Sequence, residues 1–576
     1  MDAAATVQQR CALRALTDML HRRAGAAAWL LAVAFGVFCL GHPSARYTFD
    51  GVGFAFALQR FQAGGESVGI LFHNHHLLYV LLGHLFGGTL AWLGVELTPW
   101  SQLVLLNLVL AVFTLRAAAG LFGALLGGPG PALAATACLG MSYGFWFYAL
   151  EAEVYVLQTL GFVWALWLSL PPPHGATAAR PARWWWPPVV AAGCAVFGVA
   201  AHLSSGVAWL PLGWAVWRRA PSRAAGWVAL GLFLALAVLG TAVMYAVCWR
   251  LAVPGGTPGL LQWTLGSALM TTPQGYAIQI WSVPWRTLPA LWDGSLAALA
   301  ARGPWMLQQD VWTTTLEAVS RVPFALGLLL FARVGWRATA PPVRRWLVLV
   351  TLPLLVFGAV LEPWNIEYKV AQLPAWWLWA MLGAVAWARA AVDETRRARR
   401  LTLVTAGAVA QALLLGATNH LAAIGPGEDP KRNADLQRAL FVARHTPQNA
   451  LIYFGGSQAG FNTGKIYLLY FAQRQTRPVD YVLHQKPFPN MLLGALVRDA
   501  AQGVYVLGEL LEPGPALSAL ASNHNMSVED IRAVFQAQPL RLVARMEDGF
   551  AIYVLDGPVV VPGVAAPSTK PGPSGP

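Results

Sequence analysis

Few side chains in this protein are equipped for chemistry, and they gather in short groups. Asp50 stands in Tyr47-Thr48-Phe49-Asp50-Gly51, ahead of the cluster Phe72-His73-Asn74-His75-His76. Glu151 and Glu153 interrupt an aromatic stretch that runs from Phe145 to Tyr155. Desolvation there lifts a carboxylate pKa toward the range useful to a general base and its partner. The plainer reading makes the two glutamates helix-turn charges facing water. Asp50 likewise fits an ordinary turn before Gly51. His202 precedes Ser204 and Ser205, and Glu362, Glu367, Tyr368 and Lys369 share one short segment. Lys369 is the sole lysine before residue 431. Such a lysine suits a point-charge contact to phosphate, or else snorkels to lipid headgroups.

His73, His75 and His76 have the chemistry of metal ligands with Asp50 or Glu153. Adjacent histidines are not a specific metal spacing, however, so no metal and no tightly bound cofactor are expected. Gly455-Gly456-Ser457 follows a strand-like run but lacks the lysine of a phosphate-binding loop, and reads as a plain connection. Cys11, Cys39, Cys138, Cys194 and Cys248 show no disulfide or metal framework.

The elements that must carry these residues are set by composition. The chain has 576 residues, of which 39 are Lys or Arg and 26 are Asp or Glu; 57% are hydrophobic and 27 are Trp. Mean hydropathy is +0.51. A soluble protein of this size cannot hide so much apolar surface, which leaves a polytopic α-helical membrane protein. Apolar runs fall at about 26–44, 77–97, 102–125, 131–149, 153–171, 187–203, 204–218, 226–249, 312–332, 346–362, 372–390 and 401–422. The net charge of +13 is almost all arginine, clustered between these runs. Such clusters mark cytoplasmic loops, and nucleic-acid binding is not expected.

With residues 1–25 as a cytoplasmic N-terminus, the arginine loops agree only if one early run does not cross. The run at 77–97 fits best as a juxtamembrane helix. About eleven spans follow, within a membrane domain at 26–423, with a large outer loop at 45–101 and a second aromatic outer segment near 250–311. The alternative is that 77–97 crosses. Residues 424–561 read as a small α/β domain outside the membrane. Its strands are expected at Ala450–Phe454, Val479–Leu483, Gly503–Leu507, 540–547 and 550–556, the last pair turning at Asp548-Gly549. Its helices are expected at 463–475, 489–501 and from Ser527 onward. The tail at 562–576 has the composition of a disordered segment.

Three segments resemble the GT-C membrane glycosyltransferases, and more closely their protein O-mannosyltransferase-like branch, a bacterial family. They are Asp50-Gly51-Val52-Gly53-Phe54, His76 through Tyr79 and Gly83 to Phe86, and Phe145-Trp146 through Glu151-Ala152-Glu153-Val154-Tyr155-Val156-Leu157. His202 matches a further recurring position. The chain departs from the branch's pattern at Gly53-Phe54, where an acid is usual, and at Phe72–His76, where a proline-rich stretch is usual. The resemblance implies a GT-C-like fold and makes Asp50 the general base or acceptor-orienting carboxylate.

The resemblance implies an enzyme that moves a sugar from a polyprenyl-phosphate donor to a hydroxyl of a protein or glycan acceptor, on the extracytoplasmic face of a bacterial inner membrane. Asp50 and Glu153 are then the catalytic pair. His73, His75, His76, Tyr79, Glu151, Tyr155 and His202 bind substrate, and Lys369 with Arg286 meets the phosphate. Two other classes compete. A lipid or glycan transporter or flippase would show internal repeats and charges at midplane; no repeat is seen, although Arg116, Glu317 and Arg321 lie within runs. A noncatalytic membrane assembly factor would leave Asp50 dispensable.

Overall fold

The computed structural model describes residues 23–171, 186–269, 296, 311–360, 365–456, 461, 464–485 and 489–561. The chain divides into two compact units, Met1–Asp429 and Pro430–Pro576. Arg286 and Glu362 lie outside the described residues, as do most of 250–311, the residues before Arg23 and those at 562–576.

The first unit is a helical bundle. In chain order its helices are α1 (Arg23–Leu40), α2 (Phe49–Gln62), α3 (Tyr79–Trp92), α4 (Pro99–Leu126), α5 (Pro129–Met141), α6 (Tyr143–Leu150), α7 (Tyr155–Ser169), α8 (Trp186–Ala201), α9 (Trp209–Arg219), α10 (Arg223–Ala252), α11 (Leu260–Leu269), α12 (Val311–Leu330), α13 (Pro341–Val360), α14 (Glu367–Val370), α15 (Leu373–Arg389) and α16 (Glu394–Asn419). Single turns of π-helix extend α12 through Phe331–Gly335 and α16 through His420–Ile424.

Local signals place the ends of these helices. The Thr98 hydroxyl accepts from Ser101 N–H at 3.2 Å, Pro99 occupies the first turn of α4, and Gly127 ends it in the left-handed conformation. Ser222 caps α10 and Asp393 caps α16 in the same way. Among the described residues, five helical segments are long and apolar enough to cross a membrane: Arg23–Leu40, Pro99–Leu126, Arg223–Ala252, Val319–Ala338 and Glu394–Gly427. A sixth is formed if α5 and α6, bent by 60° at Ser142, count as one span. The other expected runs form shorter helices of the same bundle, including α7 and α8. This is a multi-pass membrane protein. Leucines such as Leu30, Leu239, Leu329 and Leu413 face outward from the spans, as a lipid environment requires.

In the first unit one local expectation changes. Residues 49–62, read as loop, form α2, so Asp50 belongs to a helical first turn rather than to a free turn. The run at 77–97 gives α3, whose 14 residues span about 21 Å at 1.5 Å per residue, short of the roughly 30 Å hydrocarbon core.

The second unit is α/β. Strands β1 (Leu451–Phe454), β2 (Gln475–Pro478), β3 (Val504–Leu507), β4 (Leu540–Arg545) and β5 (Ala551–Leu555) form one sheet in the order β2-β1-β3-β5-β4. The first three run parallel; β5 pairs antiparallel with both β3 and β4. The hairpin turns through Gly549 at φ 91°, as its Asp-Gly signal predicts. Helices include α17 (Ala434–His445), α18 (Gly464–Tyr470), α19 (Val479–Gln485), α20 (Pro489–Asp499), α21 (Pro515–Asn523) and α22 (Val528–Gln536). Ser527 caps α22 by accepting from Asp530 N–H at 3.0 Å. The strand expected at Val479–Leu483 is instead α19. Its buried Val479 and Leu483 are spaced four apart, the helical repeat, and the strand itself precedes them and ends at Pro478.

Candidate functional site

The site is built around the turn between α6 and α7. Glu151 to Val154 form a buried, non-helical link, and its carbonyls would be costly without donors. Asn107, fully buried on α4, supplies them: its amide donates to Glu151 O and to Glu153 O, each at 2.6 Å. The link is thus pinned with both carboxylates directed toward the segment that follows α1. There Thr48 N–H donates to Glu151 Oε2 at 3.1 Å, the Ser44 hydroxyl donates to Glu151 Oε1, and Gly51 N–H donates to Glu153 Oε1 at 3.2 Å.

Gly51 is required by this approach. A Cβ on it would lie 2.6 Å from Thr48 Oγ1 and 3.1 Å from both Ala152 O and the Trp100 ring. Asp50, the neighbouring residue, sits on the open side of the carboxylate group. Asp50 is exposed, yet the protein surrounding it raises its carboxyl above the usual range by desolvation. Glu153 is raised further, first by burial and then by the charges of Asp50, Glu367 and Glu151. Two facing carboxylates do not both ionise easily. The buried one retains the proton, and Asp50 is left the more available base. Burial lifts Glu151 to about 7, against the pull of Ser44, Thr48 and Arg46.

The histidines stand beside this group. Phe54, one turn after Asp50 on α2, packs its ring against His73, His76 and Tyr79 at centroid distances of 6.2, 5.7 and 5.4 Å. His73 and His76 stack at 5.2 Å, and His76 meets His202 at 4.8 Å. The loop is held by Leu78 N–H donating to Ala200 O and by Leu203 N–H donating to His75 O. His202 Nδ1 accepts from Ser204 N–H at 3.1 Å and contacts Ser204 Oγ at 2.6 Å; Gln158 in turn donates to that hydroxyl at 2.7 Å. Burial lowers His73 to about 4 and His202 to about 3, and lowers His75 and His76 as well. All four are therefore neutral near pH 7. They are fitted to hydrogen-bond hydroxyl groups rather than to act as cations.

Tyr155, at the start of α7, touches the His202 ring at 5.7 Å and donates from its hydroxyl to Glu367 Oε2 at 2.7 Å. Asn365 also donates to Glu367 Oε2, at 3.0 Å. Lys369, on the same short α14, is wholly buried where α14 packs against α6 and α7, so it is not a snorkelling surface anchor. The structure thus brings Asp50, His73, His75, His76, Tyr79, Glu151, Glu153, Tyr155 and His202 to one end of the bundle. Arg286, the other residue expected there, lies outside the described residues.

Arginines mark the opposite end. Arg219 donates to Leu170 O past the far end of α7, and Arg389 donates to Leu126 O at the end of α4. Sequence reasoning passed over Asn107, Ser44, Thr48 and Gln158, and left Glu367 without a role. Asn107 carried the clearest signal, since a carboxamide inside an apolar span must find a partner in the protein.

No family model matches the chain, and no curated protein matches it significantly. Solved structures do. ArnT from Cupriavidus metallidurans, bound to undecaprenyl phosphate, superposes with a TM-score of 0.55 at 13% identity over 92% of this chain and 99% of that one. Its apo form gives the same TM-score and coverage at 14% identity. An oligosaccharyltransferase from Archaeoglobus fulgidus aligns with a TM-score of 0.49 at 10% identity, over 92% of this chain and 73% of that one. The likeness to ArnT, over nearly the whole of both chains, establishes that this protein has a GT-C-like membrane fold with a small C-terminal sheet domain.

Proposed function

We propose that this protein is a GT-C-type membrane glycosyltransferase that moves a sugar from a polyprenyl-phosphate donor to an acceptor hydroxyl. The observation that carries the reading is the placing of Asp50 on the open side of a buried carboxylate group, at one end of an apolar bundle with the ArnT fold. That ArnT structure contains undecaprenyl phosphate, a lipid carrier of the class proposed here. A lipid-linked donor keeps its chain in the bilayer and its scissile bond at the interface. In this reading the carboxylate end faces the extracytoplasmic side of a bacterial inner membrane, the arginine end faces the cytoplasm, and the α/β unit is extracytoplasmic. The O-mannosyltransferase-like branch rests on the three motif segments, and a protein or a glycan would both supply the hydroxyl.

The acceptor oxygen attacks the sugar C1 as its proton passes to an Asp50 carboxylate oxygen. The C1–O bond breaks, and its electron pair leaves on the polyprenyl phosphate. Glu153 and Glu151 hold the α2 turn that aims Asp50, through the Gly51 and Thr48 N–H groups. Neutral His73, His75, His76 and His202 are suited to sugar hydroxyls, with Tyr79 and Tyr155 beside them. Lys369 and Arg286 supply positive charge for the departing phosphate. No tightly bound cofactor enters this scheme.

Reconstituted protein supplied with polyprenyl-phosphate sugars tests it, with release of polyprenyl phosphate and sugar transfer as readouts. Asp50→Asn is expected to lower the rate by 10²-fold or more, the scale of a lost general base. Undiminished transfer by Asp50→Asn would sink the assignment.

A further inference from the structure

Away from the carboxylate group, two imidazoles and a carboxylate meet where the end of α1 passes the end of α16. We propose that His42, His420 and Glu428 form a binding site for a divalent metal of the zinc class. The site goes beyond the transfer reaction and does not depend on it. Ligand atoms of the three residues all lie within 4.8 Å of one another. His42 Nδ1 is 2.9 Å from Glu428 Oε1, and His420 Nδ1 is 3.9 Å from the same oxygen. A tetrahedral zinc with bonds near 2.0–2.1 Å separates its ligands by about 3.4 Å, and each of the two histidine–glutamate separations comes to that value with a shift of about half an ångström. His₂Glu is a zinc donor set that leaves a fourth position for water, and its nitrogen content disfavours magnesium or calcium.

The local backbone is shaped to present these groups. His42 N–H donates to Cys39 O just past α1, and the imidazole packs on Phe38 at 4.7 Å. His420 opens the π-turn that extends α16, an irregularity common at functional sites. Trp146 lies parallel beneath its ring at 6.3 Å. Among the described residues its Nδ1 has no hydrogen-bond partner, although that atom is buried. Gly425-Pro426-Gly427 then returns Glu428 to the pair. A Cβ at Gly425 would press within 3.3 Å of the His420 ring, and one at Gly427 would meet Arg46 Nε at 2.4 Å. Ala45 N–H donates to Gly427 O at 2.8 Å, and the Arg46 guanidinium donates to Ala423 O. The three side chains are 26%, 37% and 29% exposed, open enough for an ion to enter.

Bound metal would rivet residues 42–46 to the end of α16. Ser44, two residues after His42, holds Glu151, so the ion would brace the segment leading to Asp50. The competing reading is a plain histidine–glutamate ion pair.

The test uses the full chain in detergent, stripped with chelator, exposed to Zn²⁺ and desalted. About one zinc per chain is expected to remain, and zinc should raise the melting temperature. His42→Ala, His420→Ala and Glu428→Gln should each weaken retention by 100-fold or more, while His73→Ala with His75→Ala should keep it. Should those variants not fold, wild-type protein loaded with Co²⁺ decides alone: a tetrahedral ligand-field spectrum is expected. Failure of wild-type protein to retain zinc or to show that spectrum would overturn the proposal. So would zinc retention undiminished in folded His42→Ala and His420→Ala.

Discussion

Replacing Glu151 with glutamine separates its charge from its hydrogen bonds. The side chain accepts from Ser44 Oγ and Thr48 N–H. A glutamine can accept from Thr48 with its oxygen and donate to Ser44 with its nitrogen, so both contacts survive. What disappears is the titration. Burial raises Glu151 from 4.5 to about 7, so the folded state holds this proton more tightly than the unfolded state does. The stabilisation this represents is fully present below about pH 4.5 and is lost as pH rises through 7. The whole shift corresponds to about 3 kcal/mol, and about 2.5 kcal/mol of it falls between pH 5 and pH 8. Melting of the detergent-solubilised protein across that interval measures the effect. Wild type minus Glu151→Gln should give a stability difference that declines steadily with rising pH, the variant gaining on wild type by that amount. The histidines slope the other way, because burial lowers them, but they are common to both proteins and cancel. Parallel pH profiles for the two proteins would refute a buried, protonatable Glu151.

Two further substitutions probe how the carboxylates are held. Asn107→Ala strips the donor from two buried carbonyls, each costing about 1–3 kcal/mol, and should lower both the melting temperature and the transfer rate; no change in either would show that the Glu151–Val154 link holds itself. Gly51→Ala should cost about 1–3 kcal/mol, because the Ala152 carbonyl 3.1 Å from the new methyl is backbone and cannot swing aside. Its transfer rate should fall while zinc retention at His42 is unaffected, and a rate equal to wild type would mean that α2 can shift without displacing Asp50.

How much was legible depended on the range of the signal. Apolar runs such as 102–125 and 226–249 became α4 and α10, whose ends lie within three residues of the runs, because a helix in lipid satisfies its own backbone and needs only length and apolarity. The Asp548-Gly549 hairpin and the Ser527 cap were equally readable, being contacts within a few residues. Misreadings arose where a segment's state depended on distant partners. Residues 49–62 look like loop because Gly51 and Gly53 weaken a helix, yet Gly51 is there to let α2 close on Ala152. Val479–Leu483 shows strand-like composition, but its buried face has helical spacing. The sheet order, with β3 between β1 and β5, has no local signature.

The candidate site divides along the same line. Scarcity made Asp50, Glu151, Glu153, the histidines and Lys369 conspicuous in a chain with so few charges. Nothing local links Glu151 to Ser44, Tyr155 to Glu367, or His42 to Glu428, the last pair 386 residues apart. By itself the sequence determined the membrane class, the helical segments and the small set of groups able to carry chemistry, since each follows from composition or short-range periodicity. The tertiary structure alone decided which of those groups face one another and which carboxylates keep a proton. Proximity and desolvation are properties of the packed bundle, created only when helices far apart in the chain exclude water together.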